Sequence, residues 1–371
     1  MADTPLTRRQ LNRATLARQL LLERADIPIT DAVGRLAGMQ MQEEPPVHVG
    51  LWSRLAGLTR EAVLAAFHDR SLVRGTAMRG TLYAFPADDF AWVRPTIGPG
   101  LAEDALRYVS KTASPAEVSA AIDHLTAVLA AGPLTADRMR DEVAALIPGC
   151  DVRTVTYAAR MTLPLVQLPG GGRAGVSAFA MKTPFALAES WLGRPLPTEP
   201  DLPELVRRYL AAYGPATAAD IGAWTGVPGP AALLKSMLGE LVTYRGEGKS
   251  VLYDVPDGPM PDPETPTPPR LLPAFDNLLL SHKDRTRVDT DEHRARLYQK
   301  GNLRILASIL VDGEAVGTWR IETARRVATL TILPFVPITN PDRLALAEEA
   351  ERVAHFLEPT AKTWDVAFVE P

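Results

Sequence analysis

Cys150 is the only cysteine in 371 residues. A single thiol excludes an internal disulfide and any zinc site built on a cluster of cysteines. It follows Pro148-Gly149 ahead of a predicted helix and reads as a buried or incidental thiol. No uncharged apolar run reaches the length of about 18 residues that a membrane-spanning helix needs. The opening Met1-Ala2-Asp3-Thr4-Pro5 lacks the basic-then-apolar layout of a secretion signal, so a cytoplasmic location and no membrane partner are expected. The six histidines, at 48, 68, 124, 282, 293 and 355, show no metal-ligand spacing and no His-Glu-x-x-His. There is no Gly-x-Ser-x-Gly elbow. Gly170-Gly171-Gly172 is no phosphate cradle, because a strand is predicted after it and no Gly-Lys-Ser/Thr follows. No lysine stands out as a Schiff-base nucleophile. The expectation from these absences is a protein that works without metal or cofactor.

What is present is ordinary in bulk and uneven in detail. Hydrophobic residues make up 46% and charged residues 23% of a chain long enough for two or three domains. The net charge of −4 argues against indiscriminate coating of DNA. Yet the stretch from Lys283 to Arg304 carries Lys283, Arg285, Arg287, Arg294, Arg296, Lys300 and Arg304 against Asp284, Asp289, Asp291 and Glu292. One basic face on an acidic protein can bind a phosphate backbone locally, and a solvated helix face has the same composition.

The predicted elements repeat an order of helices followed by a two-stranded wing. Leu16, Leu20, Leu21 and Leu22 give a first helix its apolar face, and Thr30-Asp31 starts a second that contains Val33, Leu36 and Ala37. Pro45-Pro46 suits the first turn of a helix from Val47 to Leu55, and Thr59 reads as the N-cap of the next. Ser71–Thr76 and Thr81–Phe85 then pair as strands. In the second occurrence, helices start at Thr135 and Asp151, a strand runs Leu163–Leu168, and Ala174–Ala180 is its partner across a Pro-Gly turn. In the third, Thr217–Gly226 is a helix with a glycine stop and Pro228–Glu240 the candidate recognition helix. Leu241–Tyr244 and Ser250–Val255 form its wing. Pro256–Pro269 reads as a linker. Beyond it the period shifts towards two, with strands at Leu303–Val311, Ala315–Ile321 and Val327–Ile332, a helix at Pro341–Phe356 and a strand at Trp364–Val369. The fold class is α+β, with three tandem winged helices in residues 1–100, 101–195 and 196–258 and a further unit in 259–371.

Gln40-Met41-Gln42, after the second helix, is the most informative string. Amides at i and i+2 point to the same side of an extended segment. A carboxamide accepts and donates hydrogen bonds without titrating, so the pair can orient a water but cannot act as a strong base. That suffices only where the leaving group already tends to leave. Downstream stand Gly50-Leu51-Trp52-Ser53-Arg54-Leu55, Val73-Arg74-Gly75-Thr76-Ala77-Met78-Arg79-Gly80-Thr81-Leu82-Tyr83, Leu272-Pro273-Ala274-Phe275-Asp276-Asn277-Leu278-Leu279-Leu280-Ser281-His282-Lys283-Asp284-Arg285 and Asp312-Gly313-Glu314-Ala315-Val316-Gly317-Thr318-Trp319.

In this order and spacing, from about Leu11 to about Val369, these motifs resemble the winged-helix DNA glycosylases of the AlkZ type. Those bacterial enzymes excise N7-alkylguanines and unhook interstrand crosslinks. The resemblance implies a C-shaped molecule in which a small C-terminal β-barrel joins three winged helices. It also implies a role in self-resistance to a DNA-alkylating natural product. It assigns the catalytic roles to Gln40 and Gln42, which place a water and face their dipoles to an oxocarbenium-like transition state. The partner is double-stranded DNA with alkylated purines or crosslinks, and the protein is expected to be a monomer.

Arg74 and Arg79 flank the first wing, where they either contact phosphate or sit as turn arginines. His282, Lys283, Arg285 and Arg287 are expected to reach phosphate or lesion. Asp276 and Asn277 read as turn formers and Trp52, Trp224 and Trp319 as core. Glu43 and Glu44 are rivals to the glutamines, since a carboxylate is a stronger general base, but the expectation is that both are acids favouring the start of the next helix. Two other functions share this scaffold, a winged-helix transcription regulator and a noncatalytic DNA-damage binder. A regulator would carry a dimerisation element, and no heptad is apparent.

Overall fold

The computed structural model describes residues 5–172, 177–180, 182–227, 229–299 and 304–371. Helix α1 (Arg8–Arg18) opens on a capping box in which Thr7 and Gln10 satisfy each other's backbone N–H groups. It ends earlier than the leucine pattern predicts. Leu20 has φ of 55°, so Leu20–Leu22 lie past the helix, and Leu16 and Leu21 pack instead with Leu272 and Leu278 of the C-terminal part. Helix α2 (Ile29–Arg35) leads into strand β1 (Met39–Gln40) through Gly38, which has φ of 84°. A Cβ there would meet the Phe85 ring at 2.4 Å, so both the turn and the close approach require glycine. Helix α3 (Glu44–Trp52) carries Pro45 and Pro46 in its first turn, and Thr59 caps α4 (Arg60–His68), as expected.

Strands β2 (Leu72–Thr76) and β3 (Leu82–Pro86) pair antiparallel as predicted. Helix α5 (Ala87–Val109) then runs 23 residues with Pro95 and Pro99 inside it. Helices α6 (Pro115–Ala131), α7 (Ala136–Leu146) and α8 (Val152–Thr162) bury one shared cluster. Strand β4 (Leu165–Gln167) follows at the predicted place. Its hairpin partner is β5 (Phe185–Leu187) rather than the stretch from 174 to 180, of which 174–176 lie outside the described residues. The two strand pairs are not separate. β2 also pairs with β4, giving one five-stranded sheet in the order β1-β3-β2-β4-β5. Gly75 permits this junction, because a Cβ would meet the Phe90 ring at 2.5 Å and the Leu165 carbonyl at 2.9 Å.

After the short helix α9 (Ala188–Leu192), helices α10 (Leu202–Tyr213), α11 (Ala218–Thr225) and α12 (Pro230–Ser236) precede a two-stranded hairpin, β6 (Val242–Arg245) with β7 (Val251–Asp254). Pro228, the predicted start of α12, lies outside the described residues. Trp224 on α11 is fully buried against Tyr209 and Tyr213. The predicted linker has no helix or strand between β7 and β8 (Arg270–Leu272), but it is strapped down. Arg9 Nε donates to the Pro263 carbonyl at 2.8 Å and Arg13 Nε to that of Thr265 at 2.9 Å.

The C-terminal part contains α13 (Asp291–Leu297), the pair β9 (Tyr298–Gln299) and β10 (Arg304–Ile305), then β11 (Ser308–Val311), β12 (Glu314–Ala324), β13 (Val327–Pro334), α14 (Asn340–Leu357) and β14 (Thr363–Phe368). Leu303, the predicted start of a strand to Val311, lies outside the described residues, and β10 and β11 divide the rest. The expected β-barrel is not closed. Among the described residues the sheet is open, in the order β14-β13-β12-β11-β8, with β14 and β8 as edges. Closure requires the edge strands to pair, whereas the parallel β13–β14 pair requires a crossover. That crossover is α14, whose Leu346, Ala350 and Val353 cover Leu330 and Ile332 on one face. No described helix is long and apolar enough to cross a membrane.

Candidate active site

Residues 39–42 extend along β3, with Met39 opposite Ala84, Gln40 opposite Tyr83, and Met41 N–H donating to Leu82 O at 2.7 Å. The two-residue period does the rest. Met39 and Met41 enter the core among Leu36, Val47 and Ala84, while Gln40 is half-buried and Gln42 exposed.

Three side chains from distant parts of the chain brace this strand. Asn277, in a 3-10 turn of residues Asn277–Leu279, accepts from Gln40 N–H through Oδ1 at 3.2 Å. Its Nδ2 donates to Gly38 O at 2.7 Å and to the Tyr213 hydroxyl at 3.0 Å, and that hydroxyl donates to Leu36 O at 2.9 Å. From β2, Arg74 donates through Nε to Met41 O at 3.1 Å and through Nη2 to Gln42 O at 2.9 Å. Arg79 holds the Gln40 side chain itself. Its Nη2 donates to Gln40 Oε1 at 2.9 Å and to the Tyr83 hydroxyl at 2.8 Å. Arg79 sits between β2 and β3 at φ of 58°, a left-handed conformation costing a non-glycine residue about 1 kcal/mol. Gln42 Oε1 accepts from Leu82 N–H at 3.3 Å. Each amide oxygen has two lone pairs, so each can accept a further hydrogen bond.

The remaining expected residues are distributed differently. Arg74 is buried, and burial lowers its pKa to about 10, with Glu44 acting in the other direction. It remains a cation at neutral pH and its donors serve the protein. His282 is buried in contact with Tyr213 O through Nε2 at 3.0 Å and with Ser281 Oγ through Nδ1 at 2.8 Å. Arg287 is buried too, donating to Thr15 Oγ1 at 3.1 Å and Pro215 O at 3.0 Å. Arg285 is half-buried over the Tyr298 ring at 4.8 Å, and Lys283 is exposed. Of the four residues expected from this segment to meet DNA, Lys283 has its side chain in solvent and Arg285 part of it.

Glu43 and Glu44 belong to the start of α3. Glu43 is its N-cap residue and pairs with Arg304 at 2.7 Å. Glu44 is buried, which opposes its ionisation, but donors from His48, Ser177, Ala178 and Phe179 together hold its carboxyl below the usual value. Neither carboxylate is a free base aimed at the glutamines. Asp276 does form the expected turn, accepting from Leu278 N–H at 2.9 Å, but it also meets Arg54 in a buried two-point ion pair at 2.8 and 2.9 Å. Reading Asp276 and Asn277 as turn formers alone missed Arg54, Asn277 and Tyr213 as the frame of the site. The available signal was two polar residues inside the apolar run from Leu271 to Leu280. Among the described residues no three His, Cys, Asp or Glu side chains gather at one point.

His282 supplies a pH test of this frame. Burial, then Arg287, lowers its pKa to about 3, while Asp220, the Tyr213 carbonyl and Asp284 pull upward. An unfolded chain protonates the same histidine near its ordinary value of about 6.5, so below that pH the unfolded state binds more protons and stability falls. The loss reaches about 2 kcal/mol by pH 5. The melting temperature should therefore drop more steeply between pH 7 and pH 5 in the wild type than in His282→Gln. Parallel profiles would remove His282 as the cause.

Comparison with known proteins adds a family pattern to this geometry. A family model described as "DNA glycosylase AlkZ-like" matches residues 33–356. An "Interstrand DNA cross-link repair glycosylase" of Streptomyces sahachiroi is 27% identical over 368 residues, covering 94% of this chain and 95% of that protein. The solved structure titled "Streptomyces sahachiroi DNA glycosylase AlkZ" superposes with a TM-score of 0.79 at 23% identity, over 99% of this chain and 100% of that one.

Proposed function

Because the chain belongs to the AlkZ-like family of DNA glycosylases, we propose that it hydrolyses the N-glycosidic bond of N7-alkylated guanine, in bulky adducts and interstrand crosslinks as well as small ones, with Gln40 and Gln42 as its catalytic pair. The observation that carries this reading is the pair of amides on one side of the extended segment 39–42, braced at the backbone by Asn277 and Arg74 and at the Gln40 side chain by Arg79. N7 alkylation puts a positive charge on the purine. As the bond from C1′ to N9 breaks, its electron pair leaves with the base and neutralises that charge. Water adds its oxygen to C1′ and releases a proton to solvent. The open lone pairs of the two amide oxygens would orient that water and set negative dipole ends towards the developing oxocarbenium ion. Neither glutamine can protonate a reluctant base, so the lesion has to bring its own charge.

Two consequences are measurable. Matched duplexes carrying N7-methylguanine or uracil should separate sharply, with the methylated base released to leave an intact strand with an abasic site, and uracil retained. The release should be unaffected by chelator, and borohydride should trap no enzyme–DNA adduct. Uracil release at a comparable rate, or a trapped adduct, would contradict the mechanism.

A further inference from the structure

A cavity of about 220 Å³ lies between α5, the start of α10 and the end of α11, and Arg79 is one of its walls. Arg79 also holds the Gln40 amide, so this one side chain stands between the glutamine pair and the cavity. We propose that the cavity receives the apolar substituent that an alkylating agent leaves on guanine N7. This rests on the glycosylase reading above and adds a subsite to it.

The lining argues for that occupant over the other parts of a DNA lesion. The floor is Ile97 and Val227, with Leu101 and Leu202 on the walls. Two hydroxyls also line it, but both are committed elsewhere. Thr96 Oγ1 donates to Trp92 O at 2.7 Å and accepts from Asp201 N–H at 3.0 Å. Thr225 Oγ1 donates to Ile221 O at 2.7 Å and accepts from Val227 N–H at 3.1 Å. A nucleobase, whose edge needs several hydrogen-bond partners, would lose more than it gained there.

A phosphate fits no better. The rim carries Glu103 and Asp104, which pair with Arg107 at 2.7 and 2.8 Å, and with Arg79 in the wall the two carboxylates and two guanidiniums leave no net positive field for a phosphate. A balanced rim gives a phosphodiester little attraction and tolerates a neutral arm on a cationic purine. The volume is below the roughly 300–1,000 Å³ of sites for drug-sized ligands, and a fused pair of aromatic rings is the scale it suits. A methyl group would leave it almost empty.

The test uses Gly100, on the α5 wall. A Cβ there meets nothing nearer than the Gly226 carbonyl at 3.8 Å, and replacing a glycine inside a helix favours the helix. Gly100→Phe would project a ring into the cavity, and Gly100→Ala is the control. Single-turnover excision is measured on duplexes with one N7-methylguanine or one N7-(2-naphthylmethyl)guanine. Gly100→Phe should stay within about twofold of wild type on the methyl lesion and fall about tenfold or more on the naphthylmethyl lesion, the scale on which filled and open apolar pockets differ. Gly100→Ala should change neither. Should Gly100→Phe fail to fold by its melting curve, Leu101→Trp from the adjoining wall takes its place with the same expectation. Equal slowing of both lesions, no slowing of either, or a wild-type enzyme that releases the methyl and rejects the naphthylmethyl base would overturn the subsite. A wild-type protein that releases neither lesion would instead overturn the glycosylase reading, and the subsite with it.

Discussion

Replacing Gln40 or Gln42 by alanine is expected to slow release of N7-methylguanine by about a hundredfold or more, the usual cost of removing one oriented dipole from a transition state. The loss should fall on the chemical step. Gln42 is exposed, and the brace on Gln40 from Asn277 runs to its backbone N–H, which alanine retains. Arg79 keeps the Tyr83 hydroxyl as a partner when the Gln40 amide is gone. Melting temperature and affinity for undamaged duplex should therefore stay close to wild type while the single-turnover rate drops. Gln40→Glu adds a distinction. A carboxylate beside the Arg79 guanidinium would form an ion pair in place of a dipole, and a strong base would assist only if proton removal from water limited the rate. Wild-type rates in both alanine variants would remove the pair from the reaction.

The second large effect is on folding. Asp276→Ala should cost about 3–5 kcal/mol, because it leaves the Arg54 guanidinium buried without its counter-charge. Both side chains are about 1% exposed, and Arg54 also donates to the Gly50 and Gln19 carbonyls, so it cannot turn out to water without breaking those contacts. The Asp276 carboxylate further caps the turn that presents Asn277, so the variant should lose the brace on Gln40 and much of its activity. Urea unfolding measures the first loss. The double variant Arg54→Met with Asp276→Leu should recover much of the stability, since an apolar pair of similar volume carries no desolvation penalty. A midpoint for Asp276→Ala indistinguishable from wild type would show that the buried pair contributes little.

Elements written in local chemistry were legible in the chain. Thr59, Thr135, Asp151 and Thr217 each cap a helix that starts where its side chain says, Gly226 stops α11, and Pro45-Pro46 falls in the first turn of α3. The alternation Met39-Gln40-Met41-Gln42 was enough to face both amides outward, because a period of two needs only an extended backbone. Local signals failed where a competing long-range contact prevailed. The leucines at 20–22 were read as helix and lie past it, Leu21 and Leu22 joining the C-terminal core and Leu20 the core of the first helices, and the partner of β4 was found past residue 182.

The site divides the same way. Residue order was sufficient to propose the two amides as a pair on one side of an extended segment, since that choice depends on neighbours one and two positions away. It was silent on what holds them. Asn277 lies 237 positions from Gln40, Arg74 reaches back 33 positions to the Met41 carbonyl, and Asp276 pairs with Arg54 across 222. It also gave His282 and Arg287 the same prospect of meeting DNA as Lys283, whereas packing turned the first two inward and left the third in solvent. A charged side chain's role follows from what surrounds it, and the surroundings of these residues are assembled from segments that no local pattern connects.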